Sequence, residues 1–250
     1  MGLFDRKICN ICGSKIGLFG NRKLQDGNLC KNCASKLSPW FSDRRSSTVD
    51  EIRAQLEYRE KNQQLVNAFN ITRIMGGEEG RVLLDEGAGM FMVSTGSSAK
   101  AGNPDVLKFS QITGCEVVIE EEEDEIMREV KDSEGKTTQE SYNPPRFNYS
   151  YDFDVIIYVN TPYFNEMKFQ INSDTVEIEG TKEGGSTPIK LDSISTKKDL
   201  VDTILKAAAD TKKRNAEYLK YETMANEIKD TLLELRDKSL AEEEILNESN

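Results

Sequence analysis

Histidine is absent from this 250-residue chain. That removes the commonest acid–base side chain, every Ser-His-Asp or Cys-His catalytic arrangement, and every metal site built partly on imidazole. No run of about 18 apolar residues occurs and no charged-then-apolar leader opens the chain, so neither membrane insertion nor export is expected. Met1-Gly2 begins like an acylation signal, but Arg6 stands where that signal requires Ser or Thr. Carboxylates are plentiful, 44 against 33 Lys and Arg, yet no pair among them is set apart by its spacing. Carboxylate catalysis therefore has no nameable residues, and the chain reads as something other than an enzyme.

What is present is concentrated at the start. Four of the five cysteines form two CxxC pairs, Cys9 with Cys12 and Cys30 with Cys33, and 17 residues separate the pairs. This is the spacing of a structural zinc site. Four thiolates complete a tetrahedron and leave no position for a water, so the metal reads as one structural Zn²⁺ and not a catalytic one. A disulfide exchanger has no use for a second pair, and an iron–sulfur cluster is the other metal alternative. A segment of about 45 residues buries too little apolar surface to fold alone, and the metal substitutes for a core. Gly13, directly after the first pair, suits a positive φ that turns backbone amides toward the thiolates. A short helix is expected from Cys30 to Leu37, ending before Pro39, with the second pair at its N-terminal end. The result is a treble-clef or ribbon module. Thiols kept free for metal indicate a reducing compartment, the cytoplasm, and Cys115 shares a face with Val117 and Ile119 as a small core residue.

The net charge of −11 is unevenly spread. Residues 1–45 hold nine Lys and Arg against three Asp, leaving 24 against 41 for the rest, so a head of +6 sits on a body of −17. Four thiolates and one Zn²⁺ trim the head to about +4. Arg22, Lys23, Arg44 and Arg45, with Trp40 and Phe41 as rings that could stack on bases, are the candidate contact residues for nucleic acid or for a protein partner. The same two rings could instead seal the module or its junction with the helix that follows. Lipid binding is a third option and is not the expected one, since the acidic body should be repelled by anionic bilayers and no Lys and Arg cluster lies among its strands.

Thr48 and Glu51 form a capping-box pattern that opens a helix over about 49–69. Val49, Ile52 and Leu56, then Leu65, Val66 and Phe69, make two apolar patches around a polar middle at Arg59 and Gln63, the pattern of a semi-rigid connector. Seven strands follow, at 81–85, 90–94, 106–112, 115–120, 147–160, 166–171 and 175–179. In the longest, Phe147, Tyr149, Tyr151, Phe153, Val155, Ile157 and Val159 alternate with polar residues in its first half, as in a half-buried antiparallel strand. The acidic stretch Glu120 to Lys136 reads as an exposed hairpin end or a mobile loop. From Thr196 to about Leu246 the pattern is helical, with Leu200, Ile204 and Leu205 able to cover an open end of the β structure. The stripe Tyr221, Met224, Ile228, Leu232 and Leu235 continues, without the clean heptads of a coiled coil, and pairing with a second copy stays open.

The stretches LFDRKICNICG and DGNLCKNCASKLSPWFSDRR resemble the N-terminal zinc module of bacterial proteins grouped as domain of unknown function 4428. The resemblance implies that the middle region is a pleckstrin-homology-like domain, a strongly bent seven-stranded sheet closed by a helix, and DVLKFSQITGCEVV is similar to the strand after that domain's first hairpin. It implies no reaction.

The reading is thus an α+β protein with a Cys₄ zinc module over 1–45, a connecting helix over 46–70, a PH-like β domain with its closing helix over 71–210, and a helical extension with a fraying tail over 211–250. Its expected role is that of an adaptor recognising a protein partner through the zinc module and the β domain. Nucleic-acid binding by the basic head is the alternative.

Overall fold

The computed structural model describes residues 7–96, 98–133, 135–181 and 215–248. Its first element is a tight loop closed by the antiparallel bridge Ile8 to Lys15, with Gly13 at φ +71° as the sequence suggests. Next come β1 (Arg22–Lys23) and β2 (Asn28–Leu29), paired antiparallel. Their turn needs Gly27: a Cβ there would lie 2.6 Å from a Val49 methyl and 2.9 Å from the Asn10 Oδ1. Helix α1 (Lys31–Ala34) follows, capped by Cys30, and α2 (Val49–Ala68) begins with the expected capping box between Thr48 and Glu51.

Helix α2 is more than a connector. Ile52 near its start completes a small apolar core with Ile16, Leu24, Leu29 and Leu37 of the cysteine module. Val66 near its end, with Phe69 just past it, packs on Leu83, Met92 and Val106 of the β body. Between these patches, Gln55, Arg59 and Asn62 are buried as well. The polar middle is an interface, since each end of the helix is held by a different apolar cluster.

The β body contains two antiparallel sheets. The first is a meander of β3 (Arg73–Gly76), β4 (Arg81–Asp85), β5 (Met90–Ser94) and β6 (Val106–Lys108). Strand β3 has no counterpart in the sequence reading, because a four-residue strand beside glycines carries little periodic signal. The meander is buried on both faces. Leu83 and Met92 point to α2, while Val82, Leu84, Phe91 and Val93 enter the main core, which explains why β4 and β5 read as continuous apolar runs.

The second sheet is built on two long strands, β7 (Ile112–Lys131) and β8 (Thr137–Val159). β7 takes in the acidic stretch, pairing Glu121 with Tyr151, Glu123 with Tyr149 and Glu125 with Phe147. A run of carboxylates is strand here because the aromatic partner strand sets the ladder and water takes the charges. β9 (Glu166–Gln170) and β10 (Val176–Thr181) both pair with β8, along Asp154–Tyr158 and Arg146–Tyr151 respectively, so they follow one another on a single edge. The sheets meet at the β3–β4 turn, where a Cβ on Gly77 would lie 1.8 Å from the Ile171 carbonyl oxygen.

Helix α3 (Ala216–Glu248) closes the core. Tyr218, Tyr221, Ala225, Ile228 and Leu232 are buried in it, and the Tyr218 ring meets Tyr151 at 4.9 Å and 87° and Phe153 at 5.1 Å and 70°. The stretch that the sequence sets apart as an extension beyond Asp210 therefore supplies core residues, since its stripe recurs every three or four positions against the sheet. The expected fraying tail is helical to Glu248, with Ser110 donating to Glu243 at 2.9 Å. The expected helical stretch at 196–214, with Leu200, Ile204 and Leu205, lies outside the described residues. No helix among the described residues is long and apolar enough to cross a membrane.

A buried polar lock joins the module, α2 and the β body. Arg59, 3% exposed, pairs with the fully buried Asp105 at 2.6 Å. Arg59 also donates to the carbonyls of Lys36 and Asn103, and the Ser38 hydroxyl donates to Asp105 at 2.8 Å. Asn62 completes the lock by donating to the Pro104 carbonyl at 2.8 Å and accepting from the Val106 amide at 2.9 Å.

Candidate metal centre

The four cysteines reach one point from two local structures. In the first, the Cys9 amide donates to the Ser14 carbonyl and the Gly13 amide to the Cys9 carbonyl, both at 2.9 Å, which curls the chain around Cys9 and Cys12. In the second, Cys30 caps α1 and its sulfur accepts from the Cys33 amide at 3.4 Å. Asn10 ties the two together. Its amide donates to the Asn28 carbonyl and its side-chain oxygen accepts from the Asn28 amide, each at 2.8 Å, two residues before Cys30.

All four Sγ atoms lie within 4.8 Å of one another, and Cys12 and Cys30 are 3.7 Å apart. With metal–sulfur bonds of about 2.3 Å, a tetrahedral ZnS₄ site has edges of about 3.8 Å. The separation is far too long for a disulfide, whose sulfurs sit about 2.05 Å apart. The donor set and its spacing fit a single thiophilic ion with all four positions filled by protein.

The thiols are electrostatically unequal. Cys12 is held down to about 6, chiefly by the Ser14 side chain and also by backbone and neighbouring thiol contacts. Cys33 is pushed up by burial first and by the three neighbouring thiols second. For Cys9 burial is the largest single influence and acts upward, but the amides of Cys12, Cys30 and Ile11 outweigh it and the thiol is lowered. A divalent ion at the centre favours the thiolate at every position. Cys115 lies apart, packed against the main core and pushed up to about 12 by burial, consistent with an inert thiol.

The other candidate residues separate into two groups. Arg22, Lys23, Arg44 and Arg45 line one open groove, along with Asn21, Leu24 and Gln25 and no acidic side chain. Arg44 spans it, donating to the Lys23 carbonyl at 2.6 Å, and burial followed by the charges of Arg45 and Arg22 lowers its pKa. Trp40 and Phe41 do not join this group. Trp40 packs against the main β core and Phe41 against the cysteine-module core, so the rings seal the junction.

Two features escape the sequence reading. One is the Arg59–Asp105 lock, whose partners are 46 residues apart and carry no local signal. The other is the tip Gly17-Leu18-Phe19-Gly20, where Leu18 is 88% and Phe19 is 93% exposed. Its signal was available: two large apolar residues between glycines, in a module with little apolar surface to place.

The site and fold define a four-cysteine metal-binding module fused to an α+β body. Residues 7–55 match the family described as Domain of unknown function (DUF4428). The match reaches into α2, as does the module's core, whose last buried member is Ile52. No curated protein and no solved structure matches the chain.

Proposed function

We propose that this protein is a non-catalytic, zinc-stapled recognition module of the cytoplasm that binds a protein partner. The observation that carries the reading is the sulfur cage, whose near-tetrahedral edge suits Zn²⁺ and whose four protein ligands leave no place for a reacting water. The curl at Cys9, the β1–β2 hairpin and the short helix capped by Cys30 support a treble-clef reading. The body suits a PH-like reading: a four-stranded meander, a second sheet with three strand positions once β9 and β10 are taken as one broken edge, and a closing helix. The outer edge of β7 carries no further strand among the described residues, which supports partner binding by strand addition. The acidic side chains of β7 would discourage an acidic or neutral strand and favour a basic partner by charge complementarity.

The test is metal analysis of freshly purified protein followed by partner capture from the native host, with intact protein and with Cys30→Ser. One zinc per chain and a partner lost from the variant support the reading; absence of zinc overturns it. The second reading, nucleic-acid binding, is favoured by the acid-free groove of Arg22, Lys23, Arg44 and Arg45. It requires binding that weakens steeply as salt rises, and it fails if neither single-stranded nor duplex DNA or RNA binds at low salt.

A further inference from the structure

We infer that the Leu18-Phe19 tip and the adjoining basic groove form a docking surface for an anionic bilayer. Leu18 and Phe19 are the two most exposed large apolar side chains among the described residues, at 88% and 93%, and they are neighbours in the chain. They sit on a turn flanked by Gly17 and Gly20, with the Gly20 amide bonded to the Gly17 carbonyl at 3.0 Å, so the turn is a convex knob. The Arg22 guanidinium donates to the Phe19 carbonyl at 3.3 Å, which ties the knob directly to the groove of Arg22, Lys23, Arg44 and Arg45.

The two halves select the occupant. An apolar knob beside cations, with no acid lining the groove, is complementary to a surface with negative headgroups above hydrocarbon. A nucleic acid would use the four cations and could stack on Phe19, but it offers an aliphatic Leu18 nothing. A metal held by the four thiolates would stiffen this segment, since β1 follows the tip at once and β2 leads into Cys30, and neither Leu18 nor Phe19 belongs to the module's own core. The acidic β body is repelled by the same surface, which leaves the tip and its groove as the contact.

Flotation of the zinc-loaded full chain with vesicles tests this, comparing phosphatidylcholine alone with equal parts of phosphatidylcholine and phosphatidylglycerol. Binding is expected to the mixed vesicles only. Leu18→Ala with Phe19→Ala should weaken it on the order of tenfold or more, as lost apolar insertion requires. Arg22→Gln with Lys23→Gln should weaken it and reduce its salt dependence, since Arg44 and Arg45 remain, while zinc content and Trp40 emission stay at wild-type values in both variants. No binding to mixed vesicles at low salt overturns the inference. So does binding to which Leu18 and Phe19 contribute nothing, or an apolar tip that is needed for capture of a protein and not for vesicles.

Discussion

Asp105 shows how a single residue joins three parts of the chain. Burial holds its carboxyl above the usual carboxylate range, ahead of the opposing influence of the Arg59 charge and of hydrogen bonds from Ser38 and Arg59. Removing Arg59 leaves a buried carboxylate uncompensated, so Arg59→Met should destabilise the protein by about 3–5 kcal/mol in denaturant unfolding. The pH dependence of that loss has a definite sign. With Arg59 gone, the folded-state pKa of Asp105 rises further above its unfolded value, so the folded protein binds the proton more readily. The deficit should shrink as pH falls toward the ordinary carboxylate range and be complete above the raised pKa. Adding Asp105→Leu should restore much of the stability at neutral pH, because an apolar pair needs no desolvation of charge. An unchanged deficit in the double variant would show that packing around Arg59, and not its charge, holds the junction.

At the scale of elements, the β body depends on close approach between its two sheets. The β3–β4 turn lies against Ile171, just beyond β9, with Gly77 donating to the Gly80 carbonyl at 3.0 Å and no room for a side chain on Gly77. Gly77→Ala must displace backbone rather than a flexible side chain. A loss of about 1–3 kcal/mol is expected by thermal or chemical unfolding. Gly89→Ala makes a useful control, since its φ of +67° strains a side chain but no atom lies within 4 Å of the added carbon. That change tests conformation alone and should cost about 1 kcal/mol. Equal losses at the two sites would remove the case for a steric contact between the sheets.

Across the whole molecule, the cysteine module and the β body are separate cores joined by α2, the polar lock and Trp40. Trp40 is the chain's single tryptophan, and it packs against the β core. Its emission therefore reports the junction. Cys30→Ser, or chelation of the metal, should unfold the module and move Trp40 emission to longer wavelength. The β body, whose core is made from both sheets and α3, should keep its own unfolding transition. A single transition lost together with the metal would mean that the module is a required part of the larger fold.

The sequence by itself determined the local features: the ligand set, the glycine after the first CxxC pair, the capping box at Thr48, the alternating strand at 147–159 and the stripe of the last helix. Each is written in spacings of a few residues, which the geometry of a turn, a helix or a strand reads directly. Tertiary structure alone decided the rest. Arg59 reads as part of a polar connector until Asp105 meets it, the acidic run reads equally as hairpin end or loop until an aromatic strand pairs with it, and Trp40 reads equally as a contact ring or a seal until the β core receives it. Leu18 and Phe19 are the reverse case, apolar residues left outside because the module's small core is completed by Ile52 from α2. Burial of a charge and exposure of an apolar pair are both decided by which distant segment arrives, and a chain's local pattern holds no record of that.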